Sequence, residues 1–151
     1  MKYWCLDLSE KEKYAVVLPY VLEKCDEVSF HFPILDKDKD GIGEFAEAYE
    51  KYERAKREFL EELFKNGAKR AIGKIYQDIR LGYETQIIKV KLYPALKKRI
   101  QKHHLYDWLW WNSLPEDLCF FSKGTRRFLT ISHEEIFYVF DRKADSLLFE
   151  L

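Results

Sequence analysis

The chain has 151 residues, 47% hydrophobic and 17% aromatic, and its 26 Lys/Arg are matched by 26 Asp/Glu. Such a length predicts a single domain over 1–151 that buries roughly 68–70% of its unfolded surface without disulfide or metal staples. With six Gly, four Pro and no long apolar run, the composition argues against disorder, low complexity and a membrane span.

Three cysteines, Cys5, Cys25 and Cys119, have no metal-type pairing, and no apolar leader follows Met1-Lys2. A cytoplasmic protein with reduced thiols is expected, neither secreted nor bound to membrane, with Cys5 and Cys25 as small core residues. Charge is segregated along the chain. Residues 1–66 carry 11 Lys/Arg against 16 Asp/Glu, 67–104 carry 10 against 2, and 105–151 carry 5 against 8. That asymmetry suits an anionic partner, or one part of the protein neutralising another.

In chain order, Lys2-Tyr3-Trp4-Cys5-Leu6-Asp7-Leu8 predicts a first strand. Ser9 with Glu12 forms a capping box that starts a helix at Glu10. Its apolar face is Tyr14, Val17, Leu18, Val21, Leu22 and Cys25, and Pro19 should bend or split it. Residues 27–32 then alternate at the strand period through Val28-Ser29-Phe30-His31-Phe32.

Asp36-Lys37-Asp38-Lys39-Asp40-Gly41, with Glu47 following, has the ligand spacing of a calcium loop. Carboxylates at positions one, three and five of such a loop point inward, Gly at six allows a sharp turn, and Glu at twelve closes the shell. Here those positions are Asp36, Asp38, Asp40, Gly41 and Glu47, with the Ile42 carbonyl seventh and Glu44 ninth. In these positions the segment resembles the EF-hand family, which implies Ca2+ held by hard oxygen ligands. The flanks depart from that family. A strand pattern and Pro33 stand where a helix should enter, Gly43 occupies position eight, and no second loop exists. A polar connection from strand to helix, with Asp40 near the helix start, is the preferred reading.

Residues 43–66 predict a helix with Phe45, Tyr49, Tyr52, Phe59 and Leu63 on its apolar face and Asn66-Gly67 as its stop. Glu47–Lys51, Glu50–Arg54 and Glu53–Arg57 are spaced as i,i+4 ion pairs. Segments 72–81 and 85–93 predict a hairpin turning near Gly82. Pro94 opens a basic helix, with Leu96 and Ile100 inward, that reaches about His104 or continues through the Trp cluster. Leu114-Pro115-Glu116-Asp117 reads as a break. Strands follow near 118–122, 126–131, 136–140 and 146–150, with a turn at Lys123-Gly124. This order predicts an α+β fold, a largely antiparallel sheet with two or three helices packed on one face.

Functional candidates come in three groups. Trp108, Trp110 and Trp111 form the densest aromatic cluster; in a helix Trp108 and Trp111 would share a face, so core burial competes with an interface hot spot and is preferred. The basic segment 67–104 offers Lys97, Lys98 and Arg99 to phosphates and Tyr76, Tyr83 and Tyr93 for stacking, although the overall pI is near 6.9. His133-Glu134-Glu135, His103-His104 and the carboxylates Asp7, Glu116 and Asp117 are available for acid–base work. No nucleophile elbow, phosphate loop, zinc spacing or triad order accompanies them.

Pro115-Glu116-Asp117-Leu118-x-Phe120-Phe121, then Ser132-His133-Glu134, and the opening Tyr3-Trp4-x-Leu6-Asp7, resemble a set of small uncharacterised proteins from Gram-positive bacteria. The resemblance covers short pieces and implies a bacterial cytosolic source but no activity. The expectation is a non-enzymatic cytosolic protein-interaction domain, immunity or antitoxin-like, with no cofactor. It would meet another protein through Trp108, Trp110, Trp111, Lys97, Lys98 and Arg99. The alternatives are a Ca2+ site at Asp36, Asp38, Asp40, Ile42 and Glu47, and nucleic-acid binding through 67–104.

Overall fold

The computed structural model describes residues 4–6, 8, 10–76 and 79–140. β1 (Trp4–Leu6) precedes helix α1 (Lys11–Lys24), whose N-cap is Glu10 with no side-chain cap bond. Ser9, the expected cap, lies outside the described residues. Val17, Leu18, Val21 and Leu22 are buried along one side of α1, as their spacing requires. Pro19 does not split the helix: it is exposed, and so is Ala15, whose carbonyl loses its helical donor and can turn to water.

β2 (Glu27–Pro33) leads to a four-residue helix α2 (Lys37–Asp40), a 3-10 turn at Gly43–Phe45 and the long helix α3 (Ala46–Lys65). Asn66 caps α3, and Gly67 takes the left-handed φ of 81° that a side chain would resist. Tyr52, Phe59 and Leu63 are buried as expected, but Phe45 precedes α3 and is 47% exposed. Glu47–Lys51 closes at 2.9 Å, while Glu53 pairs with Lys56 and not with the expected Arg57.

β3 (Lys69–Tyr76) and β4 (Ile79–Lys91) form the expected hairpin, yet Tyr76 pairs with Ile79, so the strands do not turn at Gly82. Gly82 lies inside β4, opposite a register shift between Gly73 and Ile75, the kind of bulge that strand glycines mark. α4 (Pro94–Gln101) ends earlier than expected and does not continue through the tryptophans. Instead His104 accepts the Tyr106 N–H and caps a separate 3-10 turn at Leu105–Asp107, and Trp110–Asn112 makes another.

β5 (Glu116–Ser122), β6 (Thr125–Ile131) and β7 (Ile136–Val139) follow, so half of the expected break at 114–117 is strand. Lys123 and Gly124 have φ of 50° and 76°, the paired left-handed geometry that matches the twist of a two-residue hairpin. The expected strand at 146–150 lies outside the described residues.

Among the described residues all strand pairings are antiparallel, in the order β1-β7-β6-β5-β2-β4-β3. The fold is α+β. One sheet face presents Val28, Phe30, Phe32, Ile88, Phe120 and Phe128 to a buried cluster shared with Leu18 and Val21 of α1, Phe59 and Leu63 of α3, and Leu96 and Ile100 of α4. Each such side chain contributes roughly 1.5–3 kcal/mol on leaving water, so this face sets the register of the whole sheet. Trp108 belongs to this core, fully buried and stacked on Phe30 with ring centroids 5.6 Å apart. Among the described residues no helix is long and apolar enough to cross a membrane.

Candidate functional site

Strand alternation sends Ser29 and His31 to the face opposite Phe30 and Phe32. Both are buried there. Ser29 Oγ and Tyr76 Oη share a hydrogen bond of 2.7 Å, and the His31 ring lies 5.1 Å from that of Tyr76. β5 pairs Cys119 with Ser29 but Glu116 with His31, so it carries one residue more than β2 across this step. The extra residue is a β-bulge, and Asp117 within it has a φ of 48°. In a regular strand Glu116 and Asp117 would point to opposite faces. Bulged, both reach the same nitrogen: His31 Nε2 donates to Asp117 Oδ2 at 2.9 Å and lies 3.7 Å from Glu116 Oε2.

The contacts extend outward from that centre. His31 Nδ1 faces Thr85 Oγ1 at 3.3 Å. Asp117 Oδ1 accepts the Ser132 N–H at 2.7 Å, and Ser132 Oγ donates to the Leu105 carbonyl at 3.2 Å. Glu116 Oε1 accepts the Trp110 N–H at 3.1 Å and stands 3.7 Å from His133 Nε2. Burial, more than anything else, lifts the Glu116 carboxyl above the usual carboxylate range; His31, His133 and the Trp110 N–H pull it back, and Asp117 raises it further. Among the described residues, three of the four non-glycine residues with positive φ are Ser113, Asp117 and Glu135. They bracket these contacts, at the ends of the turns carrying Trp110 and His133 and in the bulge itself. Strain of this kind costs of order 1–3 kcal/mol per residue and concentrates at functional sites.

A cleft of about 110 Å3 opens onto Glu116. Pro33, Ile34, Leu35 and Trp110 wall it, and Asp40 and His133 supply its other polar groups. Tyr52 Oη donates to the Pro33 carbonyl at 3.0 Å, tying this wall to α3. Trp110 meets Tyr52 edge-on at 6.1 Å, with Phe45 and Trp111 at 6.2 and 6.0 Å. Trp111 in turn meets the His133 ring edge-on at 5.2 Å.

The three tryptophans are thus divided by the end of α4 and not by a helical face. Trp108 is core, Trp110 is the cleft wall, and Trp111 is 43% exposed at its rim. Lys97, Lys98 and Arg99 lie elsewhere. Arg99 binds Glu62 at 2.7 Å and lies 3.8 Å over the Phe59 ring. Tyr52 and Glu62 are about 15 Å apart along α3, so the basic triplet and the tryptophan cleft are separate places. Lys98 lines a shallow groove with Ala95, Lys102 and His103. Arg70 covers Phe64 at 4.8 Å, Lys89 covers Phe121 at 4.0 Å, and Tyr76 is buried and not presented for stacking.

The calcium-spaced residues form caps. Asp36 is the N-cap of α2 and accepts the Asp38 N–H at 2.9 Å, while Asp40 Oδ2 accepts the Asp36 N–H at 2.7 Å. The Ile42 carbonyl accepts the Phe45 N–H at 3.2 Å, and Glu47, fully in solvent, is held below the usual carboxylate range by Lys51. A Cβ at Gly41 would sit 2.9 Å from both the Lys37 carbonyl and the Tyr49 ring, so close packing explains that glycine. Among the described residues no group of three or more His, Cys, Asp or Glu is placed to hold a metal ion.

Of the other acid–base candidates, His104 is structural: Nε2 donates to the Leu8 carbonyl at 2.8 Å, and Tyr14 stacks on its ring at 4.3 Å. Asp7 lies outside the described residues. Burial pushes the Cys119 thiol up to about 12, which makes it inert as a nucleophile. His31 and Thr85 escaped the sequence reading. The available signal was a polar pair, Ser29 and His31, in phase within an otherwise apolar strand. No family model matches the chain, and neither a curated protein nor a solved structure does.

Proposed function

We propose that the protein is a non-enzymatic protein-recognition domain, of the immunity or antitoxin-like type, that receives its partner at the Trp110 cleft. One observation carries this reading. Of the five exposed large hydrophobic residues described, three, Ile34, Phe45 and Trp111, gather around this one cleft. Exposed apolar side chains grouped in this way, with aromatic rings among them, mark recognition surfaces. A cytoplasmic setting is part of the proposal, supported by the buried, reduced thiol of Cys119. Nucleic-acid binding is less favoured, because Arg70, Lys89 and Arg99 already lie on aromatic rings.

The test is capture from source-cell lysate by the wild type and by Trp111→Ala. Trp111 is 43% exposed and packs on Trp110 and His133, so its truncation should cost about 1–2 kcal/mol and leave the fold intact. The expected result is a protein held by the wild type and lost by a variant that still melts cooperatively, a few degrees lower. Equal capture by both overturns the reading. So does turnover on esters, phosphates or nucleotides that disappears in Glu116→Gln, which would make the raised carboxyl of Glu116 a general acid.

A further inference from the structure

We infer that the Trp110 cleft accepts the cationic end of a lysine or arginine side chain presented by the partner protein. This rests on the recognition reading above and adds what is recognised.

Size decides the first step. Pockets for whole small molecules run to about 300–1,000 Å3. A cleft of about 110 Å3 takes the end of one side chain, not a metabolite. The lining decides the second. Among the described residues its charged groups are the carboxylates of Asp40 and Glu116, with no Lys or Arg, and its aromatic wall is the Trp110 indole. An indole beside carboxylates is an environment that favours a guanidinium or ammonium group, through cation–π attraction and charge-assisted hydrogen bonds. An anionic group would face repulsion from Asp40, and a neutral apolar one would leave that carboxylate desolvated for nothing.

Charge complementarity extends beyond the lining. The segments that build the cleft, 33–47, 110–117 and 132–135, hold nine Asp/Glu against two Lys. A partner approaching this side therefore meets an acidic field around an apolar rim, which selects a basic, aromatic-tolerant surface. His133, 40% exposed at its side chain and 3.7 Å from Glu116, already sets one nitrogen against that carboxylate. Glu116 itself is fully buried, so an incoming cation would meet Asp40 and the Trp110 indole first and reach Glu116 by displacing the exposed His133.

The experiment is a titration of the full chain with acetyl-Gly-Arg-Gly-amide and with its citrulline counterpart, which keeps the shape and removes the charge. The readout is the backbone amide resonance of Trp110, whose N–H is bonded to Glu116. Saturable shifts at Trp110 and His133 are expected with arginine, weakening as salt is raised. Citrulline should bind about tenfold more weakly, as should arginine to Glu116→Gln. Asp40→Asn keeps an acceptor for the Asp36 N–H and should lower affinity in the same direction.

Equal shifts from arginine and citrulline, or arginine shifts confined to other parts of the chain, overturn the inference. If Trp111-dependent capture survives that outcome, the recognition reading stands and only the cation is lost. If capture is also independent of Trp111, both fall. Concentration-dependent self-association of the free protein, abolished in Glu116→Gln, would assign the cleft to a second copy and overturn the choice of a foreign partner.

Discussion

The two faces of β2 hold the same strand by opposite means. Phe30 stacks on Trp108 and shares a dry cluster with three helices, whereas His31, its neighbour, is fixed by Asp117 and Thr85 with Glu116 close by. Apolar contacts are numerous, individually weak and tolerant of substitution at constant volume. The polar contacts are few, directional and conditional on every member being present. The first face makes the fold; the second holds the fully buried Glu116 carboxylate beneath the Trp110 cleft.

Breaking the apolar face should cost most. Trp108→Ala is expected to lose about 3–5 kcal/mol in chemical denaturation, since the indole is fully buried against Phe30 and Phe59. A loss under 1 kcal/mol would show that Trp108 is not core. On the polar face, Asp117→Asn keeps a residue that tolerates left-handed φ and an acceptor for Ser132, but removes the charged acceptor from His31. About 1–3 kcal/mol should be lost, with a change in the His31 ring resonances; an unchanged His31 spectrum would contradict the geometry.

The smallest effect should be a gain. Glu116 holds its proton more tightly in the folded chain than in the unfolded one. That contribution to stability is complete below the unfolded pKa and is lost as pH rises through the folded one. Glu116→Gln stays neutral throughout and can still accept the Trp110 N–H. It should match the wild type in acid and melt higher at neutral pH, by about 2–4 °C for each kcal/mol recovered. A variant that melts lower at neutral pH would mean that the contacts with His31 and His133 outweigh burial.

Much of the fold could be read from the residues. The period of three and four along α3 and the alternation in β2 announce themselves because burial imposes both. Lys123-Gly124 gave the β5–β6 turn because so few residue pairs tolerate left-handed φ together. Misplaced features share a cause. Gly82 marks a bulge and not a turn, and the stretch at 114–117 is a turn running into a bulged strand, and in both cases the backbone follows pairing with a distant strand. For the site, Trp110 and Glu116 could each be singled out, as could His133, but not their meeting. His31 and Asp117 are 86 residues apart in sequence, and only the sheet order makes them neighbours.

The bulge in β5 also makes this part of the chain sensitive to length as much as to composition. Removing one residue between Leu114 and Leu118 would restore a regular alternation, and Glu116 and Asp117 could no longer both address His31. A homologue that kept every residue type here but was one position shorter would keep the sheet and lose the acidic floor of the cleft. Diversification of this protein should therefore proceed by exchange of side chains along β5, with gaps and insertions displaced to the segments that flank it.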